Sequence, residues 1–131
     1  MNEKEFNTEE YKEYLRNNPG TGYLNIRAYA ANSAIPIEGL DIVVLKIIDN
    51  ERVIFFEGNT NSSGIISGIN LPTPLINAND EVAPAYQEYT VEATYNNNKL
   101  LFITRMFNGI QVLQNINVVP NMRLDGSMYG S

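Results

Sequence analysis

Apolar and polar side chains alternate cleanly in residues 22–30. Leu24, Ile26 and Ala28 fall on one side, and Tyr23, Asn25, Arg27 and Tyr29 on the other. A period of two with one apolar side predicts a half-buried strand. The next apolar run, Ile35-Pro36-Ile37-Glu38-Gly39-Leu40-Asp41-Ile42-Val43-Val44-Leu45-Lys46-Ile47-Ile48, is denser. Its Pro and Gly predict a turn feeding a strand buried on both faces or nearly so. Leu40, Ile42 and Val44 form one face, and Val43, Leu45 and Ile47 the other. That second face needs cover from a helix, a loop or another subunit.

Further strands are expected at 53–56, 65–71, 86–95, 99–106 and 110–119. Gly68 suggests a bulge or a close backbone approach. In 86–95, Tyr89, Val91, Ala93 and Tyr95 share one side. Polar turns separate these runs at 49–52, 59–64 and 96–98. Asn108-Gly109 is a hairpin signal, because both central residues of a type I′ turn need positive φ. The expected architecture is an all-β, seven-stranded antiparallel β-sandwich covering residues 21–120.

One helix is predicted over 7–17. Asn7 or Thr8 caps it, Glu9 and Glu10 sit in its first turn, and Asn17-Asn18-Pro19-Gly20 stops it. Phe6, Tyr11, Tyr14 and Leu15 give it an apolar stripe. At this length it must dock to persist. It is expected to cap the sandwich, with an oligomerisation or tethering arm as the alternative, and residues 1–20 form a helical arm. Residues 72–85 contain three prolines and no periodicity, and read as a long surface loop. Residues 121–131 are expected to fray as a flexible tail.

The 131 residues fit one domain with a sizeable core. The net charge of −6 disfavours nucleic acid and anionic membrane as partners. There is no Cys, which excludes disulfides, thiolate zinc sites and Cys nucleophiles. There is also no His, which removes the usual general base and the commonest metal ligand. No enzyme activity, no metal and no cofactor are expected. No apolar run approaches the ~20 residues of a membrane span. The charged start, Met1-Asn2-Glu3-Lys4-Glu5, is unlike a signal peptide, so a cytoplasmic or spore-associated location is expected.

Three further chemistries have the necessary residue types. Glu38, Asp41, Glu57 and Glu92 could supply a carboxylate pair, but all fit solvent-facing positions. Asp49-Asn50-Glu51 and Asn77-Ala78-Asn79-Asp80-Glu81 are oxygen-rich, but lack the ligand spacing of a calcium loop. Lys46 with Asn115 or Asn117, beside Glu92, has the composition of an intramolecular Lys–Asn crosslink. For binding, the candidates are Tyr23, Arg27 and Tyr29 on the first strand, and Tyr86 and Tyr89 bordering the long loop. Aromatic rings stack on sugars and anchor protein contacts equally well.

The strand Pro36-Ile37-Glu38-Gly39-Leu40-Asp41-Ile42-Val43-Val44, the turn Thr60-Asn61-Ser62-Ser63-Gly64 and the close at Leu71-Pro72 resemble the transthyretin-like, or prealbumin-like, carboxypeptidase regulatory-like domain. That family typically shows P-x-x-G-A-x-V-x-V followed by T-D-x-x-G. Here Leu40 replaces the Ala and Asn61 the Asp. The resemblance implies a transthyretin-like sandwich that accompanies catalytic domains without being one. The helix from Tyr11 to Gly20, Gly22-Tyr23-Leu24-Asn25-Ile26, Leu71-Pro72-Thr73-Pro74, Tyr86 with Tyr89-Thr90-Val91, and the run from Phe107 to Pro120 are together similar to small clostridial domains, some of which occur beside or within spore-cortex and peptidoglycan hydrolases. This narrower likeness covers about residues 10–120. It implies a bacterial cell-wall or spore setting, with a protein or cell-wall glycan as partner. The alternative is a self-assembling structural protein, such as a spore-coat or phage-particle component, and hence a homo-oligomer.

Overall fold

The computed structural model describes residues 8–30, 34–75 and 85–118. Helix α1 (Thr8–Asn17) precedes eight strands. These are β1 (Gly20–Ala30), β2 (Ile35–Pro36), β3 (Asp41–Ile48), β4 (Glu51–Asn59), β5 (Ile65–Thr73), β6 (Gln87–Tyr95), β7 (Asn98–Met106) and β8 (Gln111–Asn117). All seven expected strands are present, and the eighth is the two-residue β2. Phe6, Asn7, the acidic run at 77–81 and the 121–131 tail lie outside the described residues.

The strands form two packed sheets. In the first, β1 lies between β5 and β8, with β2 pairing the end of β1. In the second, the order is β4-β3-β6-β7, antiparallel throughout. The inner faces build the core. Leu24, Ile26 and Ala28 from β1 meet Ile42 and Val44 from β3 and Val91 and Ala93 from β6, all at 0% exposure. The alternation in the sequence is therefore the alternation between core and solvent.

Two expectations about strand pairing are corrected. Asn108-Gly109 does not close a hairpin. Gly109 has φ 77°, Asn108 is not among the positive-φ residues, and Ile110 N donates to Phe107 O at 3.2 Å. This turn carries the chain from β7 in one sheet to β8 in the other. Strand β8 then runs parallel to β1, so the sandwich is not wholly antiparallel. The two-residue hairpins are instead Asp49-Asn50 and Asn96-Asn97, with φ of 52° and 67° and of 49° and 67°. Asn and Asp are the non-glycine residues that best tolerate this region.

The turn after β4 welds the sheets together. The Thr60 hydroxyl accepts from Leu40 N at 2.9 Å and donates to Ile37 O at 2.6 Å, so it fixes the chain entering β3. Asn61 Oδ1 accepts from Ser63 N at 2.9 Å and Ile65 N at 3.0 Å, closing the turn. Gly64 has φ 77°, and its carbonyl accepts from Ala28 N of β1 at 2.7 Å. A Cβ at Gly64 would stand 2.3 Å from Ala28 O. The Asn61 substitution preserves the acceptor that an Asp would supply.

The helix caps one end of the sandwich. Tyr11 and Tyr14 pack on Phe55 at ring separations of 5.9 and 5.8 Å, and Phe55 meets Tyr89 edge-on at 5.1 Å. Phe55 reaches this position because the β3–β4 register shifts between Val44 and Leu45. Asn18, nearly buried, ends the helix by donating to Tyr14 O at 2.9 Å, and accepts from Gln87 Nε2 on β6 at 3.1 Å. The helix therefore does not cover the outer face of β3. There Leu45 is buried among its strand neighbours, while Ile47 remains 58% exposed.

Gly64→Ala is expected to destabilise the fold by more than about 2 kcal/mol, because strain and a backbone collision add. Gly39→Ala, also at positive φ (80°) but with open space around it, should cost about 1 kcal/mol. Denaturant unfolding of both variants checks the order; equal losses would remove the role given to the Gly64–Ala28 contact.

Candidate functional site

Strand β1 presents Tyr23, Asn25, Arg27 and Tyr29 outward because Leu24, Ile26, Ala28 and Ala30 are held in the core. At their centre, β5 bulges opposite Asn25, between the pairs Leu24–Ile69 and Ile26–Ile66. Gly68, with φ 71°, donates its N–H to Asn25 Oδ1 at 2.8 Å. Asn25 Nδ2 in turn donates to Gln111 Oε1 on β8 at 3.3 Å. These bonds orient both amides. Among the described residues, Gln111 Nε2 and the Ser67 hydroxyl have no protein partner.

The result is an open depression of about 520 Å³ lined by Tyr23, Asn25, Ser67, Gly68 and Gln111. Tyr23 is 37% exposed and forms its aromatic wall. No side chain approaches Gly68 from this side. Further along β1, the Arg27 guanidinium lies over the Tyr29 ring at 4.6 Å. Arg27 is the one charged residue of β1, β5 and β8. The surface offers a ring, amides and a hydroxyl, which suits a neutral polar ligand.

The five candidate binding residues do not form one site. Tyr23, Arg27 and Tyr29 share the outer face of β1. Tyr86 belongs to the other sheet's end, where it packs on Phe107 at 5.4 Å beneath the Arg105 guanidinium at 5.1 Å. Tyr89 is corrected outright: it is 1% exposed and sits in the core. Its inward parity with Val91 and Ala93 was visible in the sequence. Asn25 was visible on the outer face of β1, whereas Ser67 and Gln111 escape sequence reasoning because the bulge and the parallel pairing bring them there.

Tyr89 has a structural task. Its hydroxyl donates to Pro72 O, so the 2.8 Å bond to Tyr14 must be donated by Tyr14. Burial pushes the Tyr14 hydroxyl up to about 12, against the opposing effect of its bond to Tyr89. Burial, reinforced by Tyr14, also raises Tyr89. Lys46 closes this cluster. Its Nζ donates to Glu88 O at 2.8 Å and lies 5.6 Å from the Tyr89 ring centre. Burial lowers the Lys46 pKa, and Glu88 opposes that shift.

The crosslinking constellation does not assemble, whereas three of the four candidate acids, Asp41, Glu57 and Glu92, come to one depression. Glu92 is on the outer face of the second sheet, held by Arg52 at 3.0 and 3.2 Å and by Lys99 at 3.7 Å. Lys46 faces Tyr89, and Asn115 and Asn117 are exposed on β8 in the other sheet. A depression of about 460 Å³ on the outer face of the second sheet is lined by Asp41, Glu57 and Glu92 with Arg52 and Lys99. Among the described residues, no group of three or more acids is placed to hold a metal ion. No helix among them is long and apolar enough to cross a membrane.

No family model and no curated protein matches the sequence. Solved structures match the fold. The TIE protein of Bacillus anthracis aligns with 76% of this chain at 15% identity and a TM-score of 0.54, over 16% of its own length. The shaft pilin SpaA of Lactobacillus rhamnosus GG aligns with 76% at 18% identity and a TM-score of 0.55, over 47% of its length. The 5-hydroxyisourate hydrolase of Klebsiella pneumoniae aligns with 76% at 12% identity and a TM-score of 0.51, over 90% of its length. The chain thus spans under half the length of the TIE protein and of the pilin, and most of the length of the hydrolase. The class is a transthyretin-like β-sandwich. At these identities the likeness describes the fold alone.

Tyr89→Phe is expected to cost about 1–3 kcal/mol by leaving Pro72 O without its donor. Because the folded Tyr14 ionises above its unfolded value of about 10, its contribution is complete below pH 10 and lost as pH rises toward 12. Stability measured across that window should fall, and fall less steeply in Tyr14→Phe; identical slopes would contradict the coupling.

Proposed function

We propose that the protein is a non-catalytic interaction module that binds a cell-wall glycan through the outer face of β1. The observation that carries this reading is the depression around Tyr23, with Asn25, Ser67 and Gln111 beside it. A sugar ring stacks on an exposed tyrosine, and its hydroxyl and acetamido groups bond amides. Arg27 stands at the same face and suits the carboxylate of a cell-wall sugar. The lack of His and Cys supports a role without catalysis. The cell-wall or spore-cortex setting rests on the resemblance of the Gly22–Ile26 and Phe107–Pro120 segments to domains beside peptidoglycan hydrolases.

A second reading is a self-assembling structural protein. It is favoured by Ile47, Leu101 and Ile103 on the outer face of the second sheet, at 58%, 61% and 62% exposure. The pilin among the similar structures is compatible with it. Species that keep growing with concentration would support it.

Retention on insoluble peptidoglycan tests the first reading. The protein is expected to pellet with the polymer, and Tyr23→Ala to bind about tenfold more weakly, a loss of roughly 1.4 kcal/mol. Tyr86→Ala should bind normally. Absence of retention by the unaltered protein would eliminate the glycan ligand.

A further inference from the structure

We infer that a second depression, at the corner between α1 and β5, takes one residue of a peptide, so that the ligand is a peptide-bearing cell-wall glycan rather than a bare polysaccharide. The inference rests on the glycan reading and names a part of the ligand which that reading leaves open. The depression holds about 290 Å³. Leu15 and Pro19 line it from the end of the helix, Thr21 from β1, and Asn70 and Pro72 from β5. It adjoins the depression at Tyr23. Thr21 precedes Tyr23 on the outer face of β1, and Asn70 is the ladder partner of Tyr23. A ladder pair of this kind holds its Cα atoms about 4.5 Å apart. A ligand stacked on Tyr23 therefore reaches both depressions.

The backbone at Asn70 has the chemistry of a peptide receptor. Tyr23 N donates to Ile110 O at 3.0 Å, and Thr21 O accepts from Gly109 N at 2.7 Å. The odd-numbered residues of β1 thus turn their main-chain groups toward the β8 side. The even-numbered ones turn theirs toward β5, where Gly22 opposes Leu71 and Leu24 opposes Ile69. Asn70 and Pro72, opposite Tyr23 and Thr21, therefore point their main-chain groups away from β1. The Pro72 carbonyl shows the direction, because it accepts from the Tyr89 hydroxyl of the other sheet. Asn70 directs one N–H and one C=O the same way. Pairing cannot extend far on either side of it. Pro72 has no N–H and its carbonyl is engaged, and Gly68 gives its N–H to Asn25 in the bulge. A donor and an acceptor on one residue match one residue of an extended peptide, not a whole strand.

The rest of the lining agrees with that occupant. Every residue that lines the depression is uncharged. Leu15, 37% exposed, offers apolar contact with Pro19 and Pro72 to a small side chain. The helix end is fixed before any ligand arrives, because Asn18 bonds Tyr14 O and Gln87 through its side-chain amide. A preformed wall costs little ordering on binding. In peptidoglycan the peptide is joined directly to the sugar chain, so a sugar over Tyr23 brings the start of its peptide to Asn70.

Calorimetric titration with two soluble fragments of equal glycan length tests this, one carrying its peptides and one stripped of them. The peptide-bearing fragment is expected to bind about tenfold more tightly, the worth of two hydrogen bonds. Amide NMR should show added shifts at Thr21, Asn70 and Leu71 with that fragment alone. Asn70→Pro removes the N–H that faces the depression and spares the bonds from β5 to β1. It is expected to bind the two fragments alike, whereas Asn70→Ala keeps the preference. Equal binding of both fragments by the unaltered protein would overturn the peptide site and leave the glycan reading standing. A preference retained in Asn70→Pro would also overturn it, and binding of neither fragment would overturn both readings. The fragment comparison needs no variant, so it decides even where Asn70→Pro fails to fold.

Discussion

The structure depends on the alternation of β1. This strand is hydrogen-bonded on both edges, to β5 on one side and β8 on the other. Its even-numbered residues from Leu24 to Ala30 fill the core, and the odd-numbered ones face out. A slip of one residue would bury Arg27 and Asn25 and expose Leu24 and Ile26 together. The core and the candidate contact surface are therefore two sides of one constraint.

Three local devices hold that register. The Gly64 carbonyl docks on Ala28 N with no room for a side chain between the backbones. The bulge at Gly68 is pinned by Asn25, so the irregularity in β5 and the orientation of an outward amide share one bond. The Phe107–Ile110 turn delivers Ile110 O to Tyr23 N and starts β8 alongside β1. Thr60 ties the entry to β3, in the other sheet, to the turn that carries Gly64. The helix adds a hydrogen-bond chain from the Tyr14 hydroxyl through the Tyr89 hydroxyl to the Pro72 carbonyl, which couples it to β6 and β5.

What the sequence reveals follows from which interactions are local. Alternation in β1 and β6 identifies the core, and Gly68 correctly marks a bulge, because each depends on a few adjacent residues. The Thr60–Gly64 motif is legible as a turn, although its inter-sheet contact with Ala28 is not. Asn108-Gly109 misleads because the same dipeptide serves a hairpin and a crossover, and only the distant partner of β8 decides. The partner of Asn25 is hidden for the same reason: Gln111 is brought to it by parallel pairing, 86 positions away. Tyr89 shows that parity outweighs proximity to a loop when deciding whether an aromatic ring is a contact residue or a core residue.

The two outer faces differ in chemistry. The second sheet carries internally paired charges, Arg52 with Glu92 and Arg105 with Glu88, around exposed aliphatic side chains. The first carries Tyr23 among oriented amides with Arg27 its lone charge on β1, β5 and β8. Exposed ion pairs contribute little to affinity, whereas a ring with fixed donors and acceptors supports selective polar recognition. The most direct measurement is a backbone and side-chain amide NMR titration with soluble peptidoglycan fragments. Shifts centred on Tyr23, Asn25, Ser67, Gly68 and Gln111 are predicted. Shifts centred on Ile47, Leu101 and Ile103, or none at saturating ligand, would contradict the assignment of the contact surface to β1.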